Sequence, residues 1–469
     1  MRKANALILA LIVIYVLGQI ALAAWAGRGA KDEADYLVAG RKLGVFAVGM
    51  SVFATWFASE SLIATSSEVA NNGLAGARAE PFAYGIGIIA IGLFFAHKLR
   101  AAGHLSIADF IRVHFGDVPE LLSAGIIALS ATVWAGAQFY AFATIIDAAS
   151  PLSFEVSLAA ATGLVLVYTL FGGLAGDVIT DVVQGSIVII AMIGLFWLMI
   201  DAFGGLGAAI DATPKKAWSF GAKDEAWFDG LELWLIPIVG TMVSQEALSR
   251  ALGANSPETA RNGALLGACI YLTVGLIPIA FGLFGPQLAS DLGLTFGSND
   301  AFLPSLAEAL FPSWLYIIFT GALLSAILSS VDSALLAVSA VSTDTGLKRF
   351  APDASPRTRL RAARFTTIGA GLLAALIALS GEGLRDLVLT ASAIAAVLAI
   401  PMVLALAGWR GGGRTASIAI LAQAITLGVL DWGLGVDGAF LWMLGVGIAV
   451  FAVGFLLERT RLAGAKPGP

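Results

Sequence analysis

Apolar stretches of about 20 residues recur along the chain, separated by short segments that contain glycine, proline or charged residues. A helix of that length crosses the hydrocarbon core of a bilayer, so the pattern predicts an all-α polytopic membrane protein. It predicts about thirteen transmembrane helices, at residues 4–26, 44–70, 80–99, 120–147, 152–172, 177–202, 229–250, 262–285, 313–340, 364–381, 385–408, 414–431 and 437–457. An arrangement with about eleven or twelve spans is the alternative.

The composition agrees with a membrane protein and argues against several other classes. Of the 469 residues, 58% are hydrophobic and 13% are charged, whereas soluble domains have roughly a quarter charged residues. No Ser/His/Asp set, metal-ligand cluster or phosphate-binding loop stands out in the sequence. We therefore expect neither an enzyme nor a nucleic-acid-binding protein, but a monomer embedded in the lipid bilayer.

The distribution of Lys and Arg predicts the orientation of the chain. With the N-terminus outside and the C-terminus in the cytoplasm, most of the 27 basic residues fall in cytoplasmic segments. We therefore expect a multi-pass protein of the inner (plasma) membrane with an odd number of spans. Arg2 and Lys3 would then lie outside, against the general trend.

The predicted span 44–70 carries polar side chains that contact with lipid does not require. Between Gly49 and Ser67 it contains Glu60 and a row of hydroxyl residues, namely Ser51, Thr55, Ser59, Ser61, Thr65, Ser66 and Ser67. A carboxylate in the membrane interior is costly and usually lines a path or pairs with another group. This stretch is therefore predicted to open around a small solute and an ion, and to form half of a transport site.

A second predicted span, 229–250, is interrupted in a comparable way by Pro237, Gly240 and the polar pair Gln245–Glu246. Interrupted helices at corresponding positions of two halves indicate a midplane binding site in transporters with inverted repeats. Ten central spans can be divided as five plus five, and the two interrupted spans are then the first helices of the two sets.

Ser329, Ser330, Asp332 and Ser333 fall within about one helical turn of one another. Sodium prefers hard oxygen ligands, and Ser329 and Ser330 could supply two hydroxyl groups. A break near Ala54–Phe57 could supply backbone carbonyls from the other helix. The alternative is that these serines only allow close packing between helices.

Asp181 lies in the predicted span 177–202, near its inner end. An ionisable group at membrane depth usually lines a path or pairs with another group, although an interfacial position is an alternative for Asp181. The only basic residues expected near Asp181 and Asp332 are those of the loops. A bound cation or a proton is therefore the expected partner of both carboxylates.

Six segments, in order along nearly the whole chain, resemble the sodium:solute symporter family, the group of proline, sugar, sialic acid and choline transporters. They are YLVAGRKLG from Tyr36, ATWFASESLI from Ala54, HLSIADFIRVHFG from His104, YTLFGGLAGDVITDVVQ from Tyr168, SQEALSRALGANSP from Ser244 and SAILSSVDSALL from Ser325. The resemblance implies a leucine-transporter-like core of five plus five helices in two inverted repeats. The ranges would be 1–43 for a leading helix and linker, 44–203 and 229–408 for the repeats, and 414–469 for two trailing helices and a tail.

The same resemblance implies a sodium site, and Na⁺ is the expected co-transported ion. Its ligands by position would be the carbonyls of Ala54, Phe57 and Ala326 and the hydroxyls of Ser329 and Ser330. Where relatives bind a second sodium, the matching positions here are Asp181, Ser329, Asp332 and Ser333.

Within the family, residues 73–106 and the sequence ATW at Ala54 look most like the choline-transporter branch. That branch encloses a quaternary ammonium with aromatic faces, which attract a cation through the charge distribution of the ring. Trp56, Tyr84 and Trp134 fall at positions of this cage. Ordinary packing is the alternative for Tyr84 and Trp134.

The chain departs from the branch at Ser244, which stands where the branch has a further tryptophan, and this departure leaves the solute open. Gly240 lies near the position of the gating tyrosine of the sugar branch. Ser244 and its neighbour Gln245 complete the predicted substrate site, together with Glu60, which could bind an ammonium group or substrate hydroxyls.

These patterns predict a sodium-coupled secondary active symporter that imports a small organic solute by alternating access. An amino acid, a choline-like amine and a carboxylate all remain open as the solute. A proton-coupled transporter that uses Glu60, Asp181 or Asp332 as proton carrier is one alternative. A sensor with a transporter fold and a channel are the others.

Overall fold

The computed structural model describes residues 38–149, 151–221, 225–293, 302–380, 383–408 and 412–464, and part of residues 14–25. Within these residues the fold is helical, without a β-strand; one isolated backbone bridge pairs Leu43 with Ala254. Helices satisfy their own backbone polar groups except at their ends, which suits the interior of a bilayer.

The α-helices are α1 (Val45–Trp56), α2 (Thr65–Asn72), α3 (Tyr84–Ala90), α4 (His97–Ala102), α5 (Ile107–Phe115), α6 (Asp117–Ala149), α7 (Phe154–Ala202), α8 (Leu206–Ala212), α9 (Trp227–Met242), α10 (Gln245–Leu252), α11 (Pro257–Asp291), α12 (Phe302–Leu310), α13 (Ser313–Phe350), α14 (Pro356–Ala378), α15 (Leu384–Ala396), α16 (Ala399–Leu406), α17 (Gly413–Leu427) and α18 (Ala439–Gly464). Short π-helical and 3-10 segments connect α1 to α4, namely Glu60–Ala64, Gly73–Ala77, Arg78–Ala83 and Ile91–Ala96.

Eight helical segments of the described chain are long and apolar enough to cross a membrane, and up to nine if α15 and α16, which are bent by 45°, form one span. Every predicted span from 44–70 onward coincides with a helix or a series of helical segments. The predicted first span, 4–26, falls mostly outside the described residues. The all-α, polytopic class is confirmed, and the total of thirteen spans stays a prediction.

Two predicted spans, 152–172 and 177–202, both lie within the helical range α7. Its apolar segments are Phe154–Val167 and Gly176–Ala202, and only the second is long enough to be a candidate span.

The first interruption lies at the end of α1. The helix ends at Trp56, and Phe57 leaves the helical conformation with φ −87° and ψ 68°. The chain becomes helical again in the π-helical segment Glu60–Ala64, which leads into α2. The break expected near Ala54–Phe57 is therefore present.

The second interruption separates α9 from α10 at Val243 and Ser244, where Ser244 adopts an extended conformation with ψ 129°. Pro237 and Gly240, which the sequence suggested as its cause, lie inside α9 instead. Gly240 is required there by packing, because a Cβ atom would lie only 2.5 Å from the backbone oxygen of Ser392. The glycine thus allows α9 to approach α15 closely.

The helix α1 lies at the centre of the fold, packed against α7, α11 and α13. All its residues from Val48 to Trp56 are buried, including Ser51 and Thr55. A helix that is buried on every side cannot turn its hydroxyl groups to water, so each needs a partner inside the protein. Thr55 donates to the carbonyl of Ser51 at 2.7 Å, and Ser51 bonds to a carboxylate of α7.

The contact between α1 and α11 generates a prediction about stability. At Gly267 of α11, a Cβ atom would lie 2.9 Å from the carbonyl oxygen of Gly49. We expect Gly267→Ala to lower the thermal unfolding temperature in detergent, because overpacking of this kind costs about 1–3 kcal/mol. Gly163→Ala in α7 is the control, since a Cβ atom there meets nothing within 4 Å. Equal unfolding temperatures for the two variants would contradict a tight contact between α1 and α11.

Candidate functional site

The last carbonyl groups of α1 lie at its broken end, where a helix runs out of its own donors. Phe53 O still accepts the helical bond from Phe57 N (2.8 Å), but Ala54 O accepts from Ser329 Oγ (2.7 Å) and Thr55 O from Ser330 Oγ (2.8 Å). Trp56 O lies 3.1 Å from Ser61 Oγ, whose one hydroxyl proton is also within reach of Glu80. Ser329 and Ser330 belong to α13, so the end of α1 is held by serines 275 residues further along the chain.

Ser329 and Ser330 also lie 3.0 and 3.1 Å from the carbonyl oxygen of Ala326, and both are fully buried. The structure therefore brings together four of the five predicted sodium ligands: Ala54, Ala326, Ser329 and Ser330. Hydroxyl and carbonyl oxygens from two helices are the ligands that sodium uses at broken helices. Phe57, the fifth, lies at the break itself, and the carbonyl that meets Ser330 is that of Thr55, which the sequence did not single out.

A buried arginine lies next to this cluster. Arg250 of α10 is 1% exposed, and its guanidinium group donates to Asp177 of α7 and to Ser333 of α13. It donates further to Ser51 of α1 at 3.2 Å, and Ser51 donates to Asp181. Arg250 Nη2 lies 3.6 Å from Asp181 Oδ2. One guanidinium group thus joins four helices below the broken end of α1.

The expectation that only loop residues carry positive charge near Asp181 is wrong. The break after α9 turns α10 into the protein, and Arg250 is buried there instead of lying in a cytoplasmic loop. Asp177 was missed, although it precedes Asp181 by one helical turn on the same face of α7, which was a usable signal.

Three buried carboxylates share this guanidinium group, because Asp332 is 2% exposed and also interacts electrostatically with Arg250. Within the described chain, Asp332 Oδ1 accepts no hydrogen bond. If all three carboxylates are ionised, the cluster keeps a net negative charge that a proton or cation would balance. A second cation at Asp181, Asp332 and Ser333 stays a prediction.

A cavity of about 380 Å³ lies between the two helix breaks, since Trp56 at the end of α1 and Ser244 before α10 both line it. Five of the six predicted substrate residues line it: Trp56, Glu60, Tyr84, Trp134 and Ser244. Its other polar residues are Glu80, Ser130, Glu246 and Ser392.

The sixth, Gln245, does not reach the cavity. Its side-chain oxygen accepts from the backbone N–H of Ile107 at 2.8 Å, and its amide nitrogen donates to Ser249 at 3.0 Å. Both ends of this side chain are thus used by the protein, and Gln245 fixes the start of α10 against α5.

Hydrogen bonds hold the aromatic walls of the cavity in place. The rings of Trp56 and Trp134 are 5.1 Å apart and tilted by 49°. Trp56 Nε1 donates to Thr241 at 3.2 Å, and Trp134 Nε1 donates to Glu60 Oε1 at 3.2 Å. Because each indole N–H is occupied, the ring faces are what Trp56 and Trp134 can offer to a ligand.

Glu60 is a fixed acceptor at the edge of the cavity. Besides Trp134, it accepts hydrogen bonds from Gln138 Nε2 at 2.7 Å and from Ser59 at 3.3 Å. Ser59 in turn donates to Gln138 Oε1 at 2.8 Å, so the amide of Gln138 is oriented by both neighbours.

Two further carboxyl groups of the cavity were not assigned a role from the sequence. Glu80 Oε2 accepts from Ser61 at 2.5 Å and from Tyr271 at 2.6 Å. Glu246 is the second residue of α10 and is 5% exposed. Glu80 stands directly before Pro81 at the start of the predicted span 80–99, and a carboxylate at the start of an apolar span was a signal that could have identified it.

A second cavity of about 330 Å³ adjoins the first, since Glu60, Glu80 and Tyr84 line both. It is bordered by Glu68 and Arg385, which form an ion pair at 3.1 Å between α2 and α15. Under the predicted orientation, this outer chamber leads from the central cavity toward the outside.

Arg78 and Glu225 form a bidentate ion pair near the outer chamber, with N–O distances of 2.5 and 2.7 Å. The hydrogen bond from Arg78 lowers the pKa of Glu225 from its ordinary value. The pair therefore connects the segment before α9 to the start of the Arg78–Ala83 turn.

The broken helices, the oxygen-lined cluster and the enclosed cavity together define a membrane-embedded, multi-pass transporter. The chain belongs to the sodium:solute symporter family: the family profile matches residues 36–411. This confirms the resemblance seen in the sequence, and the members found by comparison are transporters, not enzymes.

Two relatives and one solved structure illustrate the relationship. A high-affinity choline transporter of Drosophila melanogaster is 24% identical over 454 residues, which are 90% of this chain and 71% of the relative. A sodium/proline symporter of Escherichia coli is 24% identical over 356 residues, 72% of this chain and 70% of the relative. A Na⁺-coupled sialic acid symporter, solved in a substrate-bound outward-open state, superposes with a TM-score of 0.81 at 17% identity and 97% coverage of both chains. The fold is therefore leucine-transporter-like.

The Arg250 cluster generates a second prediction. Removing one partner of a buried ion pair leaves an uncompensated charge, so we expect Arg250→Gln and Asp177→Asn each to destabilise the protein by about 3–5 kcal/mol. The double variant should lose less than the sum, because neither charge is then left alone. Thermal unfolding in detergent measures the cycle, with the exposed Arg261→Gln as control. Strictly additive losses would show that the two side chains do not interact.

The Arg78–Glu225 pair predicts a dependence on pH. Because the pKa of Glu225 is lower in the folded protein, the pair stabilises the fold above the ordinary carboxyl pKa and loses this effect as the pH falls. We expect Arg78→Gln to lower the unfolding temperature at neutral pH, and by less below about pH 4. A difference between variant and wild type that is independent of pH would argue against this.

Proposed function

We propose that the protein is a sodium-coupled symporter that imports a small organic cation, an amine, by alternating access. The observation that carries this proposal is the composition of the central cavity. Among the described residues that line it are two tryptophans, a tyrosine and three glutamates, but no Lys, Arg or His. Aromatic faces and carboxylates both attract positive charge, so the cavity favours a cation over an anion.

The same composition argues against the other solutes that the sequence left open. The carboxylate of an amino acid or of an organic acid would meet Glu60, Glu80 and Glu246 without a basic partner in the lining. Negative charges buried in the protein repel each other strongly, because a medium of low dielectric constant screens them poorly. The similarity to a choline transporter supports the choice of a cationic solute over an anionic one.

Sodium is the proposed coupling ion, bound by the carbonyls of Ala54, Phe57 and Ala326 and the hydroxyls of Ser329 and Ser330. The hydrogen bonds between α13 and the end of α1 support this proposal, since they join Ser329 and Ser330 to the carbonyls of Ala54, Thr55 and Ala326. Membership of a sodium-coupled family supports it further.

Coupling follows from the position of Trp56 at the C-terminal end of α1. The Trp56 side chain lines the cavity, while the two preceding carbonyl groups accept hydrogen bonds from Ser329 and Ser330. An ion that fixes the end of α1 would fix Trp56 in its solute-binding position, and bound solute would favour the ion reciprocally. One sodium crossing 100 mV supplies about 2.3 kcal/mol, enough for roughly a fifty-fold solute gradient.

We further propose that residues 44–203 and 229–408 are inverted repeats and that the protein works as a monomer in the plasma membrane. The paired breaks after α1 and α9 support the repeats, since such breaks recur at equivalent positions of the two halves in this class. The Lys and Arg distribution supports an N-terminus outside and a C-terminus in the cytoplasm.

Proton coupling is the second candidate, and one observation favours it. Glu60 and Glu80 are both buried and close enough to interact electrostatically. Two such carboxyl groups can share a proton, which would move with the solute. Uptake driven by a pH gradient in sodium-free medium would support this candidate.

Uptake of choline and n-butylamine into proteoliposomes tests sodium coupling. We expect an inward sodium gradient to drive uptake of at least one of them. The double variant Ser329→Ala/Ser330→Ala should raise the sodium concentration for half-maximal uptake at least about tenfold, because each lost polar ligand is worth roughly 1 kcal/mol. Ser339→Ala is the matched control, since this serine of α13 bonds to Ala363 of α14 and not to α1.

Sodium should also raise the unfolding temperature of the wild type and of Ser339→Ala, but not that of the double variant, since only a bound ligand stabilises the folded state. Uptake that is indifferent to sodium, together with an unaffected double variant, would rule out the proposed site.

A further inference from the structure

We propose that the solute is a linear diamine, held with one ammonium group at Glu60 and Glu80 and the other at Glu246. This inference rests on the proposed function and makes its substrate class more specific. It follows from where the carboxyl groups stand in the cavity and from what surrounds them.

The three carboxyl groups occupy two different parts of the cavity. Glu60 and Glu80 also line the outer chamber, so they stand where the two chambers meet. Glu246 lines the central cavity only and belongs to α10, which leads away to Arg250 and the cluster below. The aromatic walls formed by Trp56 and Trp134 belong to the same central cavity.

Glu246 is the observation that points to a second charged group. It is 5% exposed, and in the described chain no other residue donates a hydrogen bond to its carboxylate. Burial of a carboxylate is costly, and the backbone N–H groups at the start of α10 compensate for only part of the charge of Glu246. Glu246 therefore has free acceptor capacity, directed into the cavity that it lines.

Among the described residues, no Lys, Arg or His lines this end of the cavity. Arg250 Nη1 donates to the backbone carbonyl of Glu246 at 3.1 Å, and its Nε and Nη2 donate to Ser51, Asp177 and Ser333. Arg385 borders the outer chamber and is paired with Glu68. Positive charge at both ends must then come with the solute.

The chemistry of the lining selects an amine with N–H groups at each end. A quaternary ammonium cannot donate hydrogen bonds, so it would leave the oxygens of Glu246 unpaired. A primary ammonium donates three, which suits the carboxylates and the hydroxyl of Ser244. The carbon chain between the two ammonium groups would lie against the aromatic faces, where apolar contact is favourable.

Competition in the proteoliposome assay tests this inference, with 1,4-diaminobutane and n-butylamine as probes. The two differ by one ammonium group on the same four-carbon chain. We expect sodium-dependent binding of 1,4-diaminobutane to be at least about tenfold tighter, because a hydrogen-bonded charge pair contributes an affinity factor of roughly ten to a hundred. Glu246→Gln should abolish this preference, because it should weaken binding of 1,4-diaminobutane at least about tenfold more than binding of n-butylamine.

Glu258→Gln, at an exposed carboxylate of α11, is the matched control and should keep the preference. Stabilisation by sodium in a thermal unfolding assay shows that each variant is folded. Equal affinity for the two probes, or an equal loss of both in Glu246→Gln, would overturn the diamine inference while leaving sodium-driven amine uptake intact. If neither probe nor choline is bound or transported, the proposed function itself fails.

Discussion

The fold depends on how the broken end of α1 satisfies its carbonyl groups. In the interior of a membrane no water is available, so an interrupted helix must find donors within the protein. Two of these donors are Ser329 and Ser330, and their hydrogen bonds bring α13 to the centre beside α1. The requirement that permits the break therefore also gathers the oxygens of the proposed ion site and sets Trp56 at the wall of the cavity.

Directly below, a second constraint holds the same helices together. Arg250 is a permanent charge in a position that is closed to water, and it is stable there only because Asp177, Ser51 and Ser333 surround it. A guanidinium group has a rigid fork of donors, so it fixes the relative positions of α1, α7, α10 and α13 more strictly than apolar packing would. The oxygens of the proposed ion site and the Arg250 cluster are therefore held by the same helices.

The sequence was sufficient for features that depend on local composition. The carboxylate and hydroxyl groups of residues 44–70 predicted an interrupted helix, and Ser329 and Ser330 indicated the helix that packs against it. Features that depend on the direction of the chain after a break were not accessible. The turn at Val243 and Ser244 buries Arg250 and turns Gln245 away from the cavity, although the neighbouring Ser244 lines it. Neither hydropathy nor residue spacing encodes that turn, because it results from packing between distant helices.

The carboxylates of the cavity have an electrical consequence. Glu60, Glu80 and Glu246 are attached to the helices and stay in the protein when sodium and a cationic solute leave. When the proposed cations are bound, they compensate the charge of the carboxylates. When the cavity is empty and the carboxylates are ionised, the cavity is negative. A membrane potential that is negative inside then acts on the return of the empty protein, by about 2.3 kcal/mol per charge for each 100 mV across which that charge moves. In a carrier that works as proposed, the loaded cavity crosses with little net charge, so the voltage acts mainly on the resetting step.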